Sequence, residues 1–68
     1  MSIEEKSVFY SVIGILRNEY PKKDLNMIGG RDGDEFVTIQ NEIKFNTNGF
    51  NLLYNLKRLC DCLEDELI

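Results

Sequence analysis

The fold is decided by the stretch Leu25-Asn26-Met27-Ile28-Gly29-Gly30-Arg31-Asp32-Gly33-Asp34-Glu35-Phe36-Val37-Thr38-Ile39. Two short apolar segments flank a centre rich in glycine and aspartate, which is the pattern of a β-hairpin. A two-residue turn would place Ile28 opposite Val37. A three-residue loop that ends in a left-handed glycine instead places Met27 opposite Val37 and Leu25 opposite Ile39. We predict the second register because it puts these four apolar side chains on one face of the sheet.

A third strand follows this hairpin. Ile39, Ile43 and Phe45 share the parity of Val37, with a polar segment at 40–42 between them. The segment is either the middle of one long strand or a turn between two strands. A turn pairs Ile39 with Ile43 and Val37 with Phe45, which keeps all four side chains on one face. We therefore predict a three-stranded antiparallel meander, with a two-stranded sheet as the alternative.

Helices are predicted on both sides of this sheet. Ser2 and Glu5 form a capping-box pattern, and Pro21 ends the first helix, which we predict from Ile3 to Glu19. Its apolar residues recur at three- and four-residue spacing: Val8, Phe9, Val12, Ile13, Leu16 and Tyr20.

A second helix is predicted from Phe50 to about Leu67, with Thr47 or Asn48 as its N-cap. Its broad apolar face is suited to covering a sheet: Leu52, Leu53, Leu56, Leu59, Cys60, Leu63 and Leu67. The predicted fold is therefore α+β in the order αβββα, with αββα as the alternative. The C-terminal helix packs on one sheet face, and the chain is a single small domain spanning residues 1–68.

Charge and composition exclude several classes of function. The chain has 68 residues, a formal charge of −4, and neither histidine nor tryptophan. An acidic balance argues against direct binding of nucleic acid, which needs a basic patch. Without histidine, the commonest general base and zinc ligand is missing. We expect no enzymatic activity and no cofactor.

The sequence also bears on the compartment. The polar, acidic N-terminus lacks the pattern of a signal peptide, and no apolar run approaches the ~20 residues of a membrane span. Cys60 and Cys62 fall two apart in the predicted helix, where they point ~200° away from each other and cannot form a disulfide. We expect a reduced, cytoplasmic protein that does not contact a membrane.

Part of the hairpin is similar to a known motif. Gly33-Asp34-Glu35-Phe36 resembles the last four positions of the Gly-Gly-Asp/Glu-Glu-Phe signature of the diguanylate cyclase family. This resemblance implies a hairpin that binds nucleotide phosphates and helps to hold a metal ion. However, Asp32 stands where that family has its first glycine, and the family domain is much longer than this chain. The favoured interpretation of these residues is an ordinary acidic hairpin turn. A vestigial nucleotide-binding hairpin is our third hypothesis of function, after a protein-binding module and a homodimeric subunit.

An acidic segment ends the last helix. Asp61, Glu64 and Asp65 crowd its final turns, where the helix dipole favours positive charge. Such a segment is either a solvated surface or an acidic patch that docks on a basic partner. Phe36 and Tyr54 fall outside the apolar faces of their elements, as do Tyr10 and Ile15, which suggests that part of the surface is covered by a partner.

We therefore predict a small acidic module that binds a protein. Its size, acidity and lack of catalytic groups resemble small inhibitors encoded by phages or mobile elements, such as anti-CRISPR, other anti-defence and immunity proteins. The alternative is a homodimeric accessory subunit of a larger assembly. The candidate partner-binding residues are Asp32, Asp34, Glu35, Phe36, Tyr54, Asp61, Glu64 and Asp65.

Overall fold

A computed structural model describes residues 1–29 and 35–66, without the side chains of Asp65 and Glu66. The three strands form one antiparallel sheet, in which their spatial order follows their order in the chain. The predicted αβββα fold is confirmed, with one additional short 3-10 helix after the first α-helix. The elements are α1 (Ile3–Glu19), the 3-10 helix (Pro21–Lys23), β1 (Asn26–Gly29), β2 (Glu35–Ile39), β3 (Glu42–Asn46) and α2 (Leu52–Glu66).

The N-termini of the two helices are joined by Glu5. The predicted capping box is present: the Ser2 hydroxyl accepts from the Glu5 amide at 3.1 Å, and Glu5 Oε1 accepts from the Ser2 amide at 3.0 Å. Glu5 Oε2 also accepts from the Leu52 amide, at the first turn of α2, at 3.0 Å. The hydrogen bonds from the amides of Ser2 and Leu52 lower the pKa of Glu5. Both helices therefore begin at the same end of the molecule.

The predicted register of the first hairpin is confirmed. Met27 lies opposite Val37 and Asn26 lies opposite Thr38. Leu25 precedes β1 and is fully buried. The turn itself, residues 30–34, lies outside the described residues, and so does its predicted left-handed glycine.

The predicted register of the second hairpin is half right. Val37 lies opposite Phe45 as expected, but Ile39 lies opposite Glu42 rather than Ile43. A β-bulge adds one residue to β3 between Ile43 and Phe45, so Ile43 shares the other sheet face with Thr38 and is exposed. The cause is the turn, because Gln40 and Asn41 both have positive φ, of 54° and 65°. Two such residues form a type I′ turn, whose twist matches that of the strands.

The predicted N-cap of α2 is wrong. The helix begins at Leu52, and Asn51 caps it by accepting from the Tyr54 amide at 2.9 Å. Thr47 is instead buried, where its hydroxyl donates to the Glu35 carbonyl at 3.2 Å. The loop that connects β3 to α2 is therefore longer than the predicted N-cap allowed.

The core lies between the two helices and one face of the sheet. Both helices, β2 and β3 contribute buried residues to it, and so does Leu25, which directly precedes β1. The buried core residues are Phe9, Ile13, Leu25, Val37, Ile39, Phe45, Leu59 and Leu63. Val8, Leu53 and Cys60, which we assigned to apolar helix faces, are exposed. Two helices that share one small sheet each bury only a narrow stripe. Leu67, the predicted end of the α2 face, lies outside the described residues.

Candidate functional site

The predicted partner-binding residues fall in separate places. Side chains alternate between the two faces of a strand, so Glu35 faces α1 while Phe36 lies on the open face of the sheet. Tyr54, Asp61 and Glu64 are exposed on α2. The remaining three cannot be placed: Asp32 and Asp34 lie outside the described residues, and the side chain of Asp65 is not described.

Glu35 is engaged within the protein. It accepts a hydrogen bond from the Tyr10 hydroxyl, and its Oε1 lies 3.6 Å from Lys6 Nζ. The hydrogen bond to Glu35 raises the pKa of Tyr10 to about 12, with smaller contributions from burial and from the Glu35 charge. The carboxylate therefore ties α1 to β2, in addition to any role toward a partner.

We expect Glu35→Gln to return the pKa of Tyr10 toward its ordinary value of about 10, because it removes the charged acceptor. The pKa of Tyr10 is raised by folding, so its contact stabilises the protein below pH about 10, and this stabilisation is lost as the pH rises toward 12. An NMR titration of the Tyr10 ring measures the shift. Glu42→Gln, at a strand position without contact to Tyr10, is the control, and an unchanged Tyr10 pKa in Glu35→Gln contradicts the assignment.

The open face of the sheet carries an exposed apolar row. Phe36 is half-buried and lies opposite Ile28, which is exposed, and Ile43 adds a second exposed side chain on the same face. Directly opposed residues of antiparallel strands pack against each other. Phe36 is thus part of a small apolar surface on the side of the sheet away from both helices.

Tyr54 is held in a stack of aromatic and cationic groups. Its ring lies parallel to that of Phe50, with centroids 4.6 Å apart and 10° between the planes. The Arg58 guanidinium lies 4.4 Å from the Phe45 centroid and 4.9 Å from the Phe50 centroid, and it donates to the Asn46 carbonyl at 2.8 Å. These contacts orient the Tyr54 ring before any partner arrives, while 49% of the residue remains exposed.

A shallow apolar groove lies beside Tyr54. It has a volume of about 630 Å³. Leu53, which is 77% exposed, is the most open apolar side chain in its lining. The described lining residues are Asn51, Leu53, Tyr54, Leu56, Lys57 and Cys60. A free cysteine therefore lies at one end of an apolar depression on α2.

The acidic part of α2 continues from this groove. Asp61 and Glu64 are exposed, and neither forms an ion pair within the described residues. The helical period places both on the outward side of α2, on the same side as Tyr54 and Leu53. We call this set, namely Leu53, Tyr54, Lys57, Cys60, Asp61 and Glu64, the outer surface of α2.

Sequence reasoning missed the aromatic stack. Tyr54 and Arg58 have the four-residue spacing that brings side chains together on a helix, and this signal was available. Phe50 precedes the helix and Phe45 belongs to β3, so their approach to Arg58 follows only from the folded loop.

Two other kinds of site are missing from residues 1–29 and 35–66. No group of three or more cysteine, aspartate or glutamate side chains is arranged to hold a metal ion there. No helix in these two segments is both long and apolar enough to cross a membrane. The outer surface of α2 is thus the best-developed candidate site in these segments.

Comparison of the chain with models of protein families, with curated proteins and with solved structures gives no match. The function is therefore argued from the surface itself. The relevant observations are its exposed apolar side chains, its oriented aromatic ring and its unpaired acids.

Proposed function

We propose that the protein acts by binding another protein through the outer surface of α2. The observation that carries this proposal is one helix side on which exposed apolar residues continue directly into unpaired acids. Protein interfaces combine an apolar centre, often with tyrosine, and a charged rim. Leu53 and Tyr54 supply such a centre, and Asp61 and Glu64 supply the rim.

The acidic rim, Asp61 and Glu64, favours a partner with a basic surface. The chain carries a net charge of −4, and no cation of the described residues pairs with Asp61 or Glu64. Complementary charge across an interface accelerates association and discriminates between partners. The binding is therefore expected to weaken as salt is added.

The form of action that fits this proposal is inhibition, in which a small acidic protein covers a basic functional surface of its target. This extends the resemblance in size and charge to phage-type inhibitors. The proposal involves no catalytic step and no cofactor, and it places the protein in the cytoplasm with its target.

The test is the reversal of one acidic charge. We expect Asp61→Lys to weaken binding about fivefold, since reversing one rim charge changes the binding free energy by about 1 kcal/mol. Tagged protein captures its partner from a lysate of the source cell, and the affinity of the purified partner is then measured at low and high salt.

Glu42→Lys is the matched control because it makes the same change of charge at an exposed position on the sheet. Equal affinity of Asp61→Lys and the unmodified protein, or equal weakening by both substitutions, contradicts the proposal. Capture of nothing but further copies of the chain would instead favour a homodimeric subunit, for which the exposed Ile28 and Ile43 on the open sheet face are the supporting observation.

A further inference from the structure

The loop between β3 and α2 contains an asparagine that is followed directly by glycine. Asn48 and Gly49 are both exposed, and Gly49 has a positive φ of 80°. Of the seven asparagines in the chain, only Asn48 precedes a glycine. Glycine has no Cβ, so another group can approach its backbone nitrogen closely. The pair therefore combines an exposed side-chain amide with an unhindered backbone nitrogen.

Asparagine is a thermolabile residue because its side chain can react with its own backbone. The nitrogen of the following residue attacks the side-chain amide carbon, a five-membered succinimide ring closes, and ammonia leaves. Water then opens the ring at either of its carbonyl carbons. The product is aspartate, or isoaspartate when the main chain continues through the former side chain. In sum, asparagine and water become an acidic residue and ammonia, without an oxidant or a reductant.

The backbone nitrogen that this reaction requires is accessible at Gly49. The Gly49 amide donates no hydrogen bond within the described residues. A Cβ added at Gly49 would have no neighbouring atom within 4 Å, so the space around this peptide group is open. Water can reach the peptide group, and the backbone has room for the rotation that brings its nitrogen to the Asn48 side chain.

Two other asparagines of the same loop region differ at this nitrogen. The nitrogen after Asn46 belongs to Thr47, which is buried, and it donates to a carbonyl of β2 at 2.9 Å. The nitrogen after Asn51 belongs to Leu52 and donates to Glu5 Oε2 at 3.0 Å. Each of these nitrogens is held by its acceptor, and each belongs to a residue with a side chain. Asn48 is therefore the favoured position for the reaction.

The segment that contains the pair is anchored on both sides. Before it, the amide and the hydroxyl of Thr47 donate to the Glu35 carbonyl at 2.9 and 3.2 Å, and the Thr47 carbonyl accepts from Asn55 Nδ2 at 3.3 Å. After it, the Phe50 ring stacks on the Tyr54 ring with centroids 4.6 Å apart. Thr47 is buried, whereas Phe50 is 41% exposed. A change in the length of this segment is therefore expected to move Phe50 rather than Thr47.

We infer that Asn48 is a site of spontaneous deamidation, and that its isoaspartate product displaces Phe50 from the Tyr54 ring. In isoaspartate the main chain gains a carbon atom, which lengthens the segment between Thr47 and Phe50. The product also carries a negative charge, where asparagine is neutral. Tyr54 belongs to the outer surface of α2, so the modification changes the support of a ring on that surface.

Incubation of the whole chain at neutral pH, followed by tryptic digestion and mass spectrometry, tests the site. Trypsin cleaves after Lys44 and Lys57, so the peptide 45–57 contains it. We expect this peptide to gain the mass difference between an amide NH2 and an OH, and its fragment ions to place the gain at Asn48. Asn48→Gln should abolish the gain, because glutamine would have to close a larger ring. Asn18→Gln, at an exposed position of α1, is the matched control and should leave the gain unchanged.

Two species with the same charge test the displacement of Phe50. The isoaspartate form, separated chromatographically from the asparagine and aspartate forms, is compared with Asn48→Asp, whose backbone is unaltered. We expect the isoaspartate form to unfold at a lower temperature than Asn48→Asp, and the NMR resonances of the Phe50 and Tyr54 rings to shift in it.

Several outcomes overturn the inference. If Asn48 reacts in urea but not in the folded chain, or if it reacts in neither state, the site is wrong. A mass gain at the exposed Asn18 or Asn41 as fast as at Asn48 also overturns it, because the glycine would then have no effect. Equal unfolding temperatures and equal ring resonances of the isoaspartate form and Asn48→Asp would overturn the displacement of Phe50. None of these measurements involves a partner, so they are independent of the test of the proposed function.

Discussion

Phe9→Ala is expected to leave about half or less of the protein folded at room temperature. The Phe9 ring is 0% exposed and belongs to the cluster that joins α1 to the sheet and α2. Removing a buried phenylalanine ring costs about 3–5 kcal/mol in lost transfer free energy and in the cavity that remains. A domain of this size gains about 3–5 kcal/mol from a single apolar core, which is about the same as this loss, so the free energy of unfolding is expected to fall to about zero or below.

Circular dichroism and thermal unfolding measure this effect. Ile3→Ala is the control on the same helix, and we expect it to change the free energy of unfolding by no more than about 0.5 kcal/mol because its side chain is exposed. A cooperative unfolding transition of Phe9→Ala near that of the unmodified protein would show that the core does not depend on this ring.

The elements that were predicted correctly are specified by residues within them or next to them in the sequence. The bounds of α1 follow from Ser2, Glu5 and Pro21, each of which acts on neighbouring backbone groups. The register of the first hairpin follows from the parity of Met27 and Val37. If one strand shifted by one residue, its apolar side chains would move from the core face of the sheet to the exposed face.

The second hairpin shows why parity alone was insufficient. Gln40 and Asn41 both have positive φ, a conformation that residues other than glycine seldom adopt. No glycine marks the turn, so the sequence favoured a longer one. A bulge in β3 then restores Phe45 to the core and leaves Ile43 exposed.

The candidate site was predictable where it lies on one element. Tyr54, Asp61 and Glu64 share α2, so helical periodicity places them together. Glu35 and Phe36 are adjacent on β2, and the alternation of side chains along a strand places them on opposite faces of the sheet.

The placement of α1 beside α2 was beyond the reach of the sequence. Glu5 accepts from the Leu52 amide at one end of the helices, and Leu16 and Tyr20 share a small cavity with Leu63 at the other end. These residues are far apart in the chain, so the periodicity of either helix alone does not bring them together.

Asn55→Leu is expected to destabilise the protein by about 2 kcal/mol, although it places an apolar residue in the core. Asn55 is fully buried, and its Nδ2 donates to the carbonyls of Asn51 at 3.0 Å, Thr47 at 3.3 Å and Phe50 at 3.4 Å. These carbonyls belong to the loop between β3 and α2. Leucine leaves the buried Thr47 carbonyl without this donor, whereas the Asn51 carbonyl still accepts from the Asn55 amide and the Phe50 carbonyl from the Met1 amino group. An unsatisfied buried acceptor costs about 1–3 kcal/mol.

The orphaned oxygen of Asn55 limits the size of this effect. Its Oδ1 is buried and has no hydrogen-bond partner among the described residues, so leucine also removes an existing desolvation cost. The two longer hydrogen bonds are weak by geometry. We therefore expect the free energy of unfolding to fall by about 2 kcal/mol, which is the middle of the range for one unsatisfied carbonyl, rather than by three times that amount.

Urea denaturation of Asn55→Leu measures the loss, and Asn18→Leu on the exposed side of α1 is the matched control. The control should be neutral or slightly stabilising, because leucine favours a helix more than asparagine does. Faster hydrogen exchange at the Tyr54 amide, which Asn51 caps, would locate the damage in the loop that positions the outer surface of α2. Unchanged stability and unchanged exchange in Asn55→Leu would show that apolar packing alone holds this loop.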